Sequence, residues 1–358
     1  MNLFKKIVGT IAACSYGLAV YAVLRANIMP TKYLLVLIPI TAVLVVLLVR
    51  ALFKERQRGV LTTMLLVALS FLVVSASALT YNASKTATAL LQGAQNVSKT
   101  STNTNIKKPY TIYISGIDSY GEVDTVSRSD VNILAVVNPK DNKVLLVNTP
   151  RDYYVQLHGT TGVRDKLTHA GIYGIDMSKN TLQDLYGTKV DYTVRINFSS
   201  LLKLVDAAGG INVYSDYTFK AGGYSFVQGY NTLDSKQALV FARERYAFAD
   251  GDRQRGKHQQ RVIEALITKL SQPRVLLGYQ GLLNSLNGTF RTNASQSEIT
   301  SIIKQQLGSI GAWKTESISV DGTGSSNVTY SINQPLYVMI PDQATVDAAR
   351  AKIQQYLR

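Results

Sequence analysis

The sequence predicts an α/β domain, with helices packed on a β-sheet, preceded by three membrane-spanning helices. Two observations predict this. Three apolar runs fill the first 79 residues, and each is long enough to cross a bilayer. From Pro109 onward, short runs with strand composition alternate with amphipathic helical patterns. The length of 358 residues allows one large domain or two ordinary ones. The expected organisation is an anchor over 1–80, a tether over 81–108 and the α/β domain over 109–358.

The apolar runs are IVGTIAACSYGLAVYAVL (7–24), YLLVLIPITAVLVVLLV (33–49) and VLTTMLLVALSFLVVSASAL (60–79). Two further runs follow the first closely, which disfavours a cleaved signal peptide. Lys5, Lys6, Arg50, Lys54, Arg56 and Arg58 flank one side, against Arg25 and Lys32 on the other. By the positive-inside rule the N-terminus is then cytoplasmic and everything after about residue 80 is extracellular. The formal charge of +15 suggests an anionic partner. Eight Lys/Arg and one acid belong to residues 1–79, so about half of that excess is a topology signal. The single cysteine, Cys14, excludes an internal disulfide. His158, His169 and His258 are too scattered to form a local metal motif.

Residues 81–108 are rich in Ser, Thr, Asn and Lys and read as a tether. YTIYISGI (110–117), VNILAVVN (131–138), KVLLVNT (143–149), VDYTVRIN (190–197) and INVY (211–214) read as strands. SSLLKLVDAAGG (199–210) reads as a helix closed by glycine. LDSKQALVFAR (233–243) reads as a helix capped by Asp234 or Ser235. Further helices are expected over 256–270, 274–286, 297–308 and 344–358. GTGSS (322–326) reads as a turn.

Four polar residues fall at strand ends that should meet. Asp118 follows the first strand, Arg128 and Asp130 precede the second, and Arg151 follows the third. A hairpin of the second and third strands, with the first antiparallel to the second, gathers them at one end of the sheet. Two carboxylates can hold a hard divalent cation, and arginines supply forks for phosphate oxygens. Two readings remain open: a metal-bridged polyphosphate site, or an Asp–Arg cluster capping the sheet.

The segment FARERYAFADGDRQRGKHQQR (241–261) concentrates basic residues. Arg243 and Arg245 face one way only if the helix has ended and the chain is extended there. Arg255 and Gln259, four apart, share a helix face near a helix N-terminus, which favours anions. Two arms closing on one anion is one reading. A solvated basic face or a lipid-headgroup surface is the other. Walker, nucleophile-elbow, zincin and Rossmann patterns are absent from the sequence.

SGIDS, SRSDVNILAVVNP, KVLLVNTPRDYYV, DKLTHA, INFSSLLKLVDAAGGINV, FARERY…GDRQRGKHQQRV and YSINQPLYVMIPD occur in order over about 110–341. In combination they resemble the LytR–CpsA–Psr family. The resemblance implies a central mixed β-sheet flanked by helices, with an apolar groove for a polyprenyl chain. It implies an extracellular phosphotransferase that moves a glycopolymer, capsular polysaccharide or teichoic acid, from undecaprenyl-pyrophosphate to peptidoglycan. It implies Mg²⁺ or Mn²⁺, with Asp118 and Asp130 as the metal-linked aspartates. Arg128, Arg151, Lys166, Arg243, Arg245, Arg255 and Gln259 match its pyrophosphate-binding positions. Membrane lipid is an expected partner and nucleic acid is not. Asp252 is a candidate general base, against a structural pairing with Arg255. Two rivals are a non-catalytic module that binds polyprenyl-phosphate or wall polymer, and a polyprenyl-pyrophosphate hydrolase.

Overall fold

The computed structural model describes residues 31–54, 108–123, 126–249, 251–270, 288–295 and 313–358, with scattered positions in 7–24, at 64 and 272, and in 297–305. The chain divides into two compact units. One comprises residues 1–89 with 296–310, the other residues 90–295 with 311–358. The expected tether up to residue 107, the run 60–79 except Met64, and the helix over 274–286 lie outside the described residues.

In the first unit, α1 (Thr31–Lys54) carries the second apolar run. The three-span head expected from the sequence is corrected here. No helix among the described residues is long and apolar enough to cross a membrane. Apolar length was the basis of the expectation. Pro39 sits inside α1 and removes a backbone donor. Tyr16 in the first run donates to the Ile38 carbonyl at 2.6 Å and meets Thr41 Oγ1 at 2.9 Å, so polar groups link the two runs. The multi-pass topology, cytoplasmic N-terminus and extracellular C-terminal region rested on those spans and are withdrawn with them.

The second unit is built on a six-stranded mixed sheet. β1 (Tyr110–Gly116) lies antiparallel to β2 (Val131–Asn138), which pairs antiparallel with β3 (Lys143–Asn148). β6 (Tyr192–Ile196) adds parallel to β1, and β11 (Phe290–Thr292) antiparallel to β6. β12 (Lys314–Ser319) closes the other edge, parallel to β3. β2 is buried along nearly its whole length, which explains why it reads as a continuous apolar run. Leu134 and Val136 join a core with α3 (Ile175–Tyr186) and α7 (Gln343–Tyr356). Ile133, Ala135 and Val137 point to the opposite face, where Ile263 and Ile267 of α6 (Gly251–Leu270) cover them. Each fully buried aliphatic side chain contributes roughly 1.5–3 kcal/mol.

A second core lies beside the sheet. Here α4 (Phe198–Ala207), α5 (Ser235–Arg243) and α6 pack with the hairpin of β7 (Ile211–Ser215) and β10 (Gly229–Leu233). The short hairpin β8 (Phe219–Ala221) and β9 (Tyr224–Phe226) contributes Phe219 and Phe226. Two further ribbons complete the unit. β4 (Tyr154–Val155) pairs with β5 (Asp165–Lys166), leading into the short α2 (Leu167–Ala170). β13 (Gly322–Val328) pairs with β14 (Pro335–Pro341). GTGSS is thus strand rather than turn: its partner supplies a full ladder, from Gly322↔Pro341 to Val328↔Pro335, that outweighs weak local propensity.

Candidate active site at the sheet end

The register brings the expected polar residues to one end of the sheet. Gly116 at the end of β1 faces Val131 at the start of β2, and Ile133 faces Asn148 at the end of β3. A Cβ on Gly116 would lie 2.7 Å from Val131 Cβ, so the close approach of the two strand ends requires glycine. The Asp130 amide then donates to the Gly116 carbonyl at 2.8 Å, holding Asp130 beside the chain that leads to Asp118. Arg151 Nη1 donates to Asp130 Oδ1 at 2.7 Å. Buried Ser129 pins this loop to the sheet through Ser115 Oγ at 2.8 Å and the Val131 carbonyl at 2.9 Å.

The basic segment arrives from the opposite side in two arms. Helix α5 ends at Arg243, and Glu244 is extended, with φ −67 and ψ 130. Arg243 and Arg245 therefore share a face. Helix α6 begins at Gly251, five residues before the expected start, with Asp252 in its favourable first turn. Arg255 and Gln259 consequently lie on its second and third turns. Gly256 lets the helix approach the sheet: a Cβ there would lie 2.7 Å from Asn148 Nδ2.

A cavity of about 550 Å³ receives both arms. Asp118, Asp130, Arg151, Arg243, Arg245, Arg255 and Gln259 line it, together with apolar side chains that include Val131, Ile196, Leu201, Leu239 and Val262. Three expected residues lie elsewhere. Arg128 is exposed in the loop before β2 and lines neither this cavity nor the one beyond it. Lys166 is held by Asp152 Oδ1 at 2.9 Å, and Asp152 in turn lies 3.6 Å from Arg151. Asp252 lines a second cavity, pairs with Arg255 and lies 3.8 Å from Arg151. A carboxylate between two guanidiniums acts as their counter-ion and sets their spacing.

The two innermost arginines are differently compensated. Burial acts to lower Arg151, but the Asp130 hydrogen bond and the charges of Asp152 and Asp252 outweigh it and raise this guanidinium above its usual range. Burial holds Arg255 below its usual range; Asp252 and Asp130 oppose this, while Arg151 and Arg245 reinforce it. An arginine stays charged in a protein, so the shift on Arg255 reflects the burial of its cation beside Asp252.

Asp118 and Asp130 line the same cavity and are oxygen donors of the kind a hard divalent cation takes. Asp118 gives one oxygen to Arg243 at 3.7 Å and Asp130 one to Arg151, leaving each with a second oxygen. Mg²⁺ characteristically takes one or two carboxylates plus substrate phosphates. Among the described residues no cluster of three or more His, Cys, Asp or Glu offers a complete protein cage.

Sequence reading missed two supports. The Arg243 guanidinium sits 4.4 Å above the Phe198 ring, at the first turn of α4. Arg195 is buried in β6 and reaches Ser115 Oγ at 3.4 Å and the Ser127 carbonyl at 3.2 Å, bracing the loop before Asp130. The available signal was an arginine inside a strand: Thr193 and Arg195 are the buried side of β6, the reverse of the usual alternation.

Comparison with known proteins agrees with this architecture. The LytR_cpsA_psr family model matches residues 73–353. A polyisoprenyl-teichoic acid–peptidoglycan teichoic acid transferase TagU from Enterococcus faecalis is 32% identical over 253 residues, covering 70% of this chain and 83% of the relative. The crystal structure of B. subtilis TagV superposes with a TM-score of 0.59 at 25% identity, over 70% of this chain and 98% of that one. For B. subtilis TagU the TM-score is 0.55 at 28% identity, with the same coverage. With the sheet, the two arginine arms and the family pattern coinciding over most of its length, the chain belongs to the LytR_cpsA_psr family.

Proposed function

We propose that this chain is a transferase that moves a glycopolymer of the teichoic acid kind from a polyisoprenyl-pyrophosphate carrier to peptidoglycan. The observation that carries the reading is the cavity of about 550 Å³, which offers an apolar wall to a hydrocarbon chain and four arginines to the phosphates beside it. A lipid-linked pyrophosphate needs both in one place. The relatives named as teichoic acid transferases support the same substrate class.

The chemistry follows from these residues. An acceptor hydroxyl oxygen bonds to the phosphorus that carries the sugar, its proton passing to water. The bond from that phosphorus to the bridging oxygen breaks, and the polyprenyl phosphate departs with the electron pair. Arg243, Arg245 and Arg255 face the charge that grows on the departing phosphate, fixed in place before the reaction begins. Gln259 orients a phosphate oxygen as a neutral donor. Asp118 and Asp130 would hold Mg²⁺ or Mn²⁺, whose contribution is concentrated positive charge at the phosphate oxygens. Asp252 serves to space Arg151 and Arg255.

Purified protein, a lipid-linked donor, peptidoglycan and Mg²⁺ should yield conjugate and free polyprenyl phosphate. Release of polyprenyl phosphate at full rate without acceptor would make the protein a hydrolase instead. Binding without turnover would make it a carrier-binding module. Chelation of divalent cations should abolish conjugation, and undiminished conjugation in chelator would remove the metal from the reading.

A further inference from the structure

Asp130 and Arg151 lie just outside their strands, so groups other than the strand ladder must fix them. The loop that carries Asp130, Ser127–Asp130, is clamped from two sides. On one side stands α2. The Ser127 amide donates to the Gly171 carbonyl at 3.2 Å, and the Ser129 amide to the Thr168 carbonyl at 3.2 Å. The Thr168 amide donates in turn to the Arg151 carbonyl at 2.8 Å, so one residue of α2 ties the backbones of both loops. A Cβ on Gly171 would collide with the Ser127 carbonyl oxygen, so this approach requires glycine. On the other side stands β6. Its parallel register with β1 sets Arg195 opposite Ser115. The Arg195 side chain is 1% exposed, and it donates to Ser115 Oγ at 3.4 Å and to the Ser127 carbonyl at 3.2 Å. Buried polar groups continue from there. Ser115 Oγ meets Ser129 Oγ at 2.8 Å, and Tyr113 Oη lies 3.1 Å from Ser129 Oγ and donates to Asn132 Oδ1 at 2.7 Å. Asn132 Nδ2 returns to the Ser129 carbonyl at 3.0 Å, and the Asn132 carbonyl accepts from the Thr149 amide at 2.9 Å, two residues before Arg151.

Two arguments give this network a role beyond packing. The first is energetic. Taking a guanidinium out of water is costly, and an apolar side chain of similar volume often stabilises a fold better. A methionine in β6 would fill the same space. What it would lack is the pair of donors that Arg195 directs at the Asp130 loop and at the Ser115 support beneath it. The second argument is the destination. The bonds from α2 and from β6 converge on the two backbones whose side chains form the Asp130–Arg151 pair, joined at 2.7 Å. That pair lines the cavity that receives both arginine arms. Charged groups that stabilise a growing charge act best when they are fixed before the reaction. A displacement of about 1 Å at such a site can cost about 10²-fold in rate.

We propose that Arg195 is a positioning residue: through Ser115, Ser127 and Ser129 it holds the Asp130 loop so that Asp130 presents Arg151 to the phosphates of the donor. The inference rests on the transfer reading above. The test uses Arg195→Met, Arg195→Lys and Ser115→Ala. Inorganic pyrophosphate is titrated by calorimetry with Mg²⁺ present, and steady-state conjugation is measured against lipid-linked donor and against peptidoglycan. Arg195→Met should weaken pyrophosphate binding and raise the donor KM by about tenfold, less than the cost of a full 1 Å displacement. The acceptor KM should stay within about twofold. Arg195→Lys, which keeps a charged donor without the fork, should recover part of the loss. A merely structural residue would lower the melting temperature and leave pyrophosphate affinity in the folded protein unchanged. A folded Arg195→Met whose pyrophosphate affinity and donor KM both lie within about twofold of the unaltered protein would therefore overturn the assignment. If Arg195→Met does not fold, Ser115→Ala decides: pyrophosphate binding weakened about threefold supports the assignment, and unchanged binding overturns it. Absence of pyrophosphate binding by the unaltered protein would remove the phosphate site and this role with it. Pyrophosphate binding that depends on Arg195, in a protein that forms no conjugate, would leave the positioning role standing and refute the transfer reading.

Discussion

Arg151 and Arg255 stand on the same wall, yet their surroundings act on them in opposite directions. Arg151 has Asp130, Asp152 and Asp252 around it and is over-supplied with negative charge. Arg255 is more deeply buried, pairs with Asp252 and faces Arg151 and Arg245. On the proposed function it grips the departing phosphate, so Arg255→Ala should lower turnover by about 10²–10³, the cost of removing one preorganised donor. Arg255→Lys should recover little, because a lysine cannot reproduce the guanidinium fork. Conjugate formation at saturating donor measures both, and a loss under about threefold would remove Arg255 from the phosphate grip. Arg243 is more exposed and rests on Phe198. Phe198→Ala gives up a contact of about 0.5–1 kcal/mol. The expected result is a donor KM raised about two- to fivefold with kcat unchanged; a fall in kcat alone would show that Phe198 acts in another way.

At the scale of the element, α5 sets the direction of one arginine arm. Its N-terminus carries a capping box: Asp234 accepts from the Gln237 amide at 2.8 Å, and the Asp234 amide donates to Gln237 Oε1 at 3.0 Å. Asp234→Ala should cost about 1 kcal/mol. In a unit of this size that lowers the melting temperature by about 2–4 °C, readable by calorimetry. An unchanged melting temperature would mean that tertiary packing alone holds the helix. This cap was legible in the sequence, as were β1, β2, β3 and β6, because their apolar period is imposed by burial. The ends that carry Asp118, Asp130 and Arg151 were legible for the same reason. KTESIS was not: β12 is an edge strand of intermediate burial, and its hydroxyl face gives no apolar alternation. GTGSSNV was hidden by glycine and serine, since only its long-range pairing with β14 makes it a strand. The apolar runs near the N-terminus misled differently: their length and composition spoke of lipid, but no helix among the described residues is long and apolar enough to cross a membrane.

At the scale of the whole domain, the two arginine arms must be held together, and His258 does this from within the second core. Its Nδ1 donates to the Phe241 carbonyl at 3.0 Å, two residues before Arg243, while its own helix carries Arg255. The ring stacks on Phe241 at 4.2 Å and on Phe219 at 5.4 Å between centroids. Burial pushes this imidazole down to about 4, against the weaker upward pull of the Phe241 carbonyl, Asp216 and Glu244. The sign of the linkage follows. Above the ordinary value of about 6.5 the ring is neutral in both folded and unfolded chains and stability does not depend on it. As pH falls below that, the unfolded chain takes up the proton and the folded chain does not, so stability falls until about pH 4. The loss is roughly 3 kcal/mol over the window. Asp165 does not share this range: burial would raise it, but hydrogen bonds from His169 and Ser331 hold it below the usual carboxylate value, so its contribution is lost only in stronger acid. Urea unfolding at pH 7, 6, 5 and 4.5 should therefore show a decline that His258→Phe flattens. That variant gives up the bond to Phe241, and with it about 1 kcal/mol at pH 7, but it keeps an aromatic ring in the stack. An equally steep decline in the variant would assign the acid sensitivity to another group and leave the two arms joined by packing alone.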